Sequence, residues 1–393
     1  MEKRKKPRIR FKGFSDDWEQ RKLGACFEER CENMPDGELI SVTISDGIKK
    51  FSELGRHDNS NQDKSKYKKV CIGDIAYNSM RMWQGASGYS PFEGIVSPAY
   101  TVLKPNVNIN SKCVSYLFKR QDMIHVFQLN SQGITSDNWN LKFPALSQIA
   151  VSLPGDIKEQ SRIATYFSNI DTLITLHQRK LEKLKIIKKS MLEKCFPKKG
   201  EKVPKIRFSG FTDDWEQRKL GDIFEEYSEK GFSDLPALTI IQGEGTIKRE
   251  DSDRSLKYDK ASLLKYKLVK KGDFIVHLRS FEGGLEISKN IGVVSPAYHT
   301  FHGEGTDSTF YYWHFRSDDF IDIALKPHVY GIRDGRSINI EGMKTIKIPW
   351  TTLDEQSRIG NLIKCINRLI TLHQSKLEKL QKIKKSMLER MFV

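Results

Sequence analysis

Two stretches of this sequence are written twice, and no other feature limits the possible fold as strongly. PRIRFKGFSDDWEQRKLGACFEE, Pro7 to Glu29, returns as PKIRFSGFTDDWEQRKLGDIFEE, Pro204 to Glu226, with 18 of 23 positions identical. Glu159 to Phe196 returns as Glu355 to Phe392, with 25 of 38 positions identical. The offsets are 197 and 196, so the 393-residue chain is a tandem duplication of one unit of about 196 residues. The centres, Arg30 to Lys158 and Tyr227 to Asp354, are nearly equal in length but share only fragments. These are Gly73-Asp74 with Gly272-Asp273, the Val-Ser-Pro-Ala-Tyr ending at Tyr100 and Tyr298, and Gly133 and Gly331, each followed by Ile. Like ends around unlike centres predict two modules that do one kind of job on different targets.

The repeated end block predicts a long helix. Glu159 to Phe196 has no Pro or Gly, is rich in Leu, Lys, Glu and Ile, and stops at Pro197. Its length would be about 55 Å. Ile174, His177, Leu181, Leu184, Lys188 and Met191 keep a 3-4 spacing, broadened by Leu173, Leu176 and Ile187. Ile370, His373, Leu377, Leu380, Lys384 and Met387 repeat it. Two like helices with apolar seams predict an intramolecular coiled coil; packing of the seams on the domains is the alternative. His177 and His373 read as packed histidines, because no Asp, Cys or second His stands at metal-ligand spacing. The other repeated block, GFxDDWEQRKLG, reads as a turn into a domain, with Trp18, Leu23, Trp215 and Leu220 as core anchors and Asp16-Asp17 as structural.

Lys and Arg number 66 against 50 Asp and Glu, a formal +16, which suits a polyanionic partner. Arg179 to Lys202 alone holds ten basic residues against three Glu, either a solvated face or a phosphate contact. No apolar run of eighteen residues occurs, and the basic start lacks an apolar segment, so neither a membrane span nor a secretory signal is expected. The six cysteines form no CxxC pair and do not match between repeats, which predicts free thiols in a reducing cytoplasm.

The centres carry short β-type runs at Leu39–Ile44, Lys69–Asn78, Ala237–Ile241, Phe274–Leu278 and Thr345–Ile348, and helical periodicity at Lys112–Gln128 and Thr309–Leu325. Each predicts an α+β domain with a twisted sheet. Between the strands lie loops that differ at corresponding places. NSMRMWQGASG, Asn78 to Gly88, faces HLRSFEGG, His277 to Gly284, aligning Arg81 with Arg279, Trp83 with Phe281, Gln84 with Glu282 and Gly85 with Gly283. SQGITSDNWN, Ser131 to Asn140, faces HVYGIRDGRS, His328 to Ser337. Arg reads guanine and Asn or Gln reads adenine in a major groove, so these loops are candidates for base recognition. The candidates are Asn78, Arg81, Trp83, Gln84, Thr135, Ser136, Asn138 and Asn140 in the first centre. In the second they are His277, Arg279, Glu282, Tyr330, Arg333, Asp334 and Arg336.

On the GFxDDWEQRKLG block, the Val-Ser-Pro-Ala-Tyr segment and the helix starts Leu153-Pro154…Glu159-Gln160-Ser161-Arg162-Ile163 and Ile348-Pro349…Glu355-Gln356-Ser357-Arg358-Ile359, the chain resembles the DNA specificity subunit of type I restriction-modification systems over essentially its whole length. The resemblance implies two target recognition domains, 1–158 and 204–354, separated by conserved helical regions, 159–203 and 355–393, whose antiparallel helices give a pseudo-two-fold. Each domain would read half of a split, asymmetric duplex DNA site, and the helices would set the gap. Two modification subunits, which methylate adenine with S-adenosylmethionine, would dock on the helices, and restriction subunits would use ATP and Mg. Leu173, Leu181, Leu184, Met191, Leu369, Leu377, Leu380 and Met387 are the docking candidates. The subunit itself would bind no cofactor or metal directly. In keeping with a non-catalytic role in the cytoplasm, the sequence has no Pro-Pro of an amino-methyltransferase motif and no Gly-Lys of a phosphate loop. The alternatives are a solitary basic DNA-binding scaffold and a stand-alone enzyme acting on nucleic acid.

Overall fold

The computed structural model describes residues 6–44, 47–58, 60–135, 138–198, 200–252, 260–277, 279–331 and 336–393. The chain divides into two units, Met1–Gln178 with Ser375–Val393, and Arg179–Gln374. Two helices of 38 residues, Ile157–Lys194 and Leu353–Arg390, each contribute to both. They occupy the expected stretches, shifted toward the N-terminus by about one turn at most. None of the described helices is long and apolar enough to cross a membrane.

Within each unit the repeated blocks meet. In the first, strand Glu19–Lys22 pairs antiparallel with Ala150–Leu153, which leads directly into the long helix. In the second, Glu216–Lys219 pairs with Lys347–Trp350. The chain therefore enters and leaves each central domain on adjacent strands, and the expected anchors Trp18, Leu23, Trp215 and Leu220 are buried beneath them.

Every residue of Glu-Gln-Ser-Arg-Ile at the helix start has a partner that explains its repetition. Glu159 is buried and accepts two hydrogen bonds from Arg10, at 2.7 and 2.8 Å, and one from Trp18 Nε1 at 3.4 Å. Glu355 accepts from Arg207 at 2.7 and 3.0 Å, from Trp215 at 2.9 Å and from the Thr351 hydroxyl at 2.5 Å. Gln160 accepts the Asn110 N–H at 2.8 Å and donates to the Pro154 carbonyl at 2.9 Å. Gln356 accepts the Asp307 N–H at 3.0 Å and donates to the Thr351 carbonyl at 2.7 Å. Asn110 and Asp307 cap helices Ser111–Leu117 and Ser308–His314. The serine reaches the same caps: Asn110 Nδ2 donates to Ser161 Oγ at 3.2 Å, and Ser357 Oγ donates to Asp307 at 3.0 Å. Arg162 and Arg358 lie over Phe14 and Phe211, and Ile163 and Ile359 enter the cores.

Each central domain is built on a four-stranded antiparallel sheet. In the first its order is Phe27–Glu29, Tyr100–Pro105, Ile75–Asn78, Ser87–Tyr89; in the second, Glu225–Tyr227, His299–His302, Phe274–Val276, Glu286–Ile287. One face of the sheet joins the large core with the short helices. The other meets a hairpin, Ile40–Thr43 with Gly47–Lys50 or Leu238–Ile241 with Gly245–Lys248, through a smaller cluster that includes Ile40, Val42 and Ala76, or Leu238 and Ile275.

The expected strand Lys69–Asn78 is two strands, Lys68–Val70 and Ile75–Asn78, in different sheets. Gly73 takes a positive φ of 96°, and buried Asp74 accepts the Cys71 N–H and two bonds from Arg30. This explains the shared Gly-Asp. Asp273 serves the same turn, accepting from Lys270 N–H, Tyr227 hydroxyl and His302. The helical stretches are interrupted too: Ser111–Leu117 is followed by Gln121–Leu129, and Ser308–His314 by a π-helical Asp319–Leu325.

The helix seams are used against the domains as well as against each other. In the first unit Phe167 of one long helix stacks on Phe392 after the other, at 6.0 Å, and Phe392 meets Trp18. Lys384 pairs with Asp171 at 2.5 Å and lies 5.7 Å from the centre of the Tyr116 ring, whose hydroxyl also donates to Asp171. In the second unit Phe196 packs on Trp215 and Phe310, and Lys188 lies 4.4 Å from the centre of the Trp313 ring. The seam lysines thus sit on aromatic rings of the short domain helices. Leu173, Leu176 and Ile187 do not broaden the buried seam; they are exposed.

Removing one partner from a buried, bidentate ion pair leaves the other charge unsatisfied. Glu355→Ala or Arg207→Ala should each lower stability by roughly 3–5 kcal/mol, and the double variant should lose clearly less than their sum. Denaturant titration of the three variants measures this, and strict additivity would remove the clamp as an explanation.

Candidate nucleic-acid interface

The loop Asn78–Gly88 joins two neighbouring strands of the central sheet, and its backbone is tightly wound. Arg81 N–H bonds to the Asn78 carbonyl, and Gln84 N–H and Ala86 N–H both bond to the Arg81 carbonyl. A 3-10 turn, Met82–Gln84, is anchored by the buried Met82 side chain and closed by Gly85 in the left-handed region. Arg81 and Gln84 are left exposed on this rigid turn, while Asn78 is partly buried. In the second unit the short helix Ser280–Gly283 takes this place, with Arg279 and Glu282 exposed. It is one residue longer. The closing left-handed glycine is Gly284, not Gly283 as the alignment suggests, and a Cβ there would collide with the Phe315 carbonyl at 2.0 Å.

The structure brings both candidate loops of each unit together. In the first, Gln132 and Asn140 form a bridge, and Leu141 N–H bonds to the Ser79 carbonyl. Trp83 packs edge-on against Trp139 at 5.2 Å, while its Nε1 donates to the Met80 carbonyl. Thr135 and Asn138 are exposed beside them; Asn140 is partly buried. In the second unit strands Val329–Tyr330 and Ser337–Ile338 pair, and Tyr330 is exposed. Arg336 reaches across to the other loop, 4.3 Å from the Phe281 ring centre and 3.4 Å from Glu282. An aromatic residue on the first loop, Trp83 or Phe281, is thus the tether in both units. Ser136, Arg333 and Asp334 lie outside the described residues. Trp139 was absent from the sequence-derived candidates, although it stands in the quoted loop; its signal was an aromatic among polar residues opposite Trp83.

The docking candidates separate into three kinds. Leu181 and Leu377 are buried, and Leu184 and Leu380 partly so. Met191 packs into the core of the second unit and Met387 into that of the first. Leu173 and Leu369 are open, at 44% and 41% exposure, next to the equally matched Leu176 and Leu372. Among the described residues no group of three or more His, Cys, Asp or Glu could hold a metal ion.

Residues 15–186 match the type I restriction modification DNA specificity domain. That stretch carries the specificity domain of type I systems. The chain is 23% identical over 379 residues to the putative type I restriction enzyme MjaX specificity subunit of Methanocaldococcus jannaschii, covering 88% of this chain and 84% of the relative. The MjaVIII specificity subunit of the same organism is 25% identical over 356 residues, covering 82% of this chain and 81% of that one. In fold, the chain is similar to the crystal structure of the type I restriction-modification S subunit from M. genitalium, with TM-score 0.60, 13% identity and 99% of each chain covered.

If the ring contact holds the two loops of the first unit together, Trp139→Ala should speed hydrogen exchange at the Asn140 and Leu141 amides. Exchange within Ile75–Asn78 should not change, because that strand is held by the sheet on both sides. Unaltered exchange at Leu141 would show that the backbone bonds alone fix the loop.

Proposed function

We propose that this chain is the non-catalytic sequence-reading subunit of a type I complex, and that each unit reads one half of a bipartite, asymmetric duplex site. The observation that carries the reading is the contrast between frame and loops. Glu159 and Glu355 are matched with their Arg and Trp partners, whereas the loops tethered by Trp83 and Phe281 present mostly different side chains from the same position. A rigid mount with interchangeable exposed polar residues is what two different base sequences require.

Two modification subunits dock on the long helices in this reading, supported by open Leu173 and Leu176 in one repeat and Leu369 and Leu372 in the other. Matched leucines on duplicated helices suit two copies of one partner. Those subunits supply S-adenosylmethionine chemistry on adenine, and restriction subunits supply the ATP- and Mg-dependent step. This chain supplies position and sequence. The net charge of +16 adds a sequence-independent attraction to phosphate, so affinity falls steeply as salt rises.

Arg81→Ala should relax one half of the methylated motif only, and Arg336→Ala only the other, each by about 1–3 kcal/mol for a bidentate base contact. The measurement is the methylation motif in cells carrying each variant with the partner subunits. An equal effect of Arg336→Ala on both halves would assign it to the backbone or to folding.

Exchanging the centres should reverse the order of the half-sites. The exchanged segments need to be Arg30–Asp171 and Tyr227–Asn367, so that Asp171 travels with Tyr116, whose hydroxyl it accepts. A soluble, partner-binding exchange with the motif order unchanged would show that the centres do not carry the sequence reading.

A further inference from the structure

The second unit holds a cleft of about 680 Å³ beside the loop that starts at His277, and that loop forms only one wall. The other is the hairpin Leu238–Lys248, which contributes Thr239, Gln242 and Ile247; His277, Arg279 and Tyr298 face them. Gly283 makes this possible. A Cβ there would stand 2.0 Å from Gln242 Nε2, so a glycine is needed for Gln242 to lie across the loop.

His277 is the informative residue. Its Nδ1 accepts the Arg279 backbone N–H at 3.2 Å, which puts the proton of the neutral ring on Nε2. Burial and the neighbouring Arg316 and Arg279 hold its pKa down to about 4, so the ring is neutral near pH 7. Nε2 is buried and has no hydrogen-bond partner among the described residues. A buried donor without an acceptor is costly and rare in folded proteins. At the matching position of the first unit stands Asn78, whose side chain is occupied: its Oδ1 accepts Met80 N–H at 3.0 Å. The duplicated scaffold is its own control: at this one position, among the described residues, the second copy holds a buried donor without a partner and the first does not.

His277 and Arg279, both donors, line the cleft two residues apart in the chain, and Asp251, an acceptor, lines it too. Among base pairs, guanine presents two acceptors in the major groove, O6 and N7, and its cytosine partner presents the N4 amine. Adenine puts a donor where the second acceptor is needed. We infer that this cleft reads a G·C pair in the half-site of the second unit, with Arg279 and His277 donating to guanine and Asp251 accepting from cytosine. The inference rests on the bipartite reading proposed above and adds the identity of one base pair and the residues that select it.

The test is the methylation motif of the complete complex carrying His277→Asn, the residue the first repeat uses at this place. One guanine of the second half should relax, with methylation of sites lacking it rising about tenfold or more, while the first half stays unchanged. Asp251→Asn, on an exposed side chain, should relax the same pair and carries the test if His277→Asn melts early. A second half that keeps its full motif in both variants, or that relaxes at an A·T pair, would overturn the assignment. A continuous wild-type motif would instead overturn the bipartite reading, and the cleft's role with it.

Discussion

A glutamate buried at the start of each long helix, Glu159 or Glu355, is the point on which the rest of the structure depends. It joins the N-terminal arm through Arg10 or Arg207, the entering strand through Trp18 or Trp215, and the helix itself. A carboxylate out of water is stable only when its lone pairs are filled, and here two guanidinium N–H groups and an indole N–H fill them. The arrangement demands a specific placement of three segments. The next residue, Gln160 or Gln356, extends that placement to the capped short helix, whose side chains build the domain core. The identical Glu-Gln-Ser-Arg-Ile of the two repeats therefore falls where the frame is hydrogen-bonded together.

The candidate loops sit outside that network. Their support comes from the central sheet and from single buried residues such as Met82 and Ser280, while Arg81, Gln84, Arg279 and Glu282 remain exposed. Exposed side chains on a supported turn change at little cost to stability, since surface substitutions rarely exceed about 0.5 kcal/mol. This separation lets two centres diverge on one frame. The conserved features inside the centres are those the backbone requires: the Gly73-Asp74 and Gly272-Asp273 turns, each with a positive-φ glycine and a buried, fully bonded aspartate.

Most of the frame was legible in the sequence, because duplication marks what is kept, and a Pro-free and Gly-free run of 38 residues leaves few alternatives to a helix. Trp18, Leu23, Trp215 and Leu220 could be read as anchors from their apolar character alone. The break within Lys69–Asn78 was hidden, since Gly73 could equally mark a bulge, and only the partners of Asp74 identify a turn between sheets. The walls of the second-unit cleft were hidden for a different reason. Thr239, Gln242 and Tyr298 lie far from His277 in the chain, and no periodicity records which strands a sheet brings together. Gly283 and Gly284 illustrate the limit: an alignment equates Gly85 with Gly283, while the left-handed backbone falls on Gly284.

The long helices also record which domain they touch. After the identical Glu-Gln-Ser-Arg-Ile, the copies read Ala164-Thr165-Tyr166-Phe167-Ser168-Asn169 and Gly360-Asn361-Leu362-Ile363-Lys364-Cys365, and they differ again at Asp171 and Asn367 before the shared Leu-Ile-Thr-Leu-His-Gln. This is the stretch that faces the domain helix. Phe167 meets Tyr116 at 5.1 Å in one unit, and at Gly360 a Cβ would come within 2.9 Å of the Asp307 carboxylate in the other. Asp171 accepts the Tyr116 hydroxyl and pairs with Lys384; where Trp313 replaces that tyrosine there is no hydroxyl to accept, the helix carries Asn367 instead, and the seam lysine rests on the indole ring. Divergence in the helices thus follows divergence in the centres, contact by contact. The differing stretch belongs physically to the domain it supports, while the identity that resumes at Leu173 and Leu369 includes open positions that touch neither domain core.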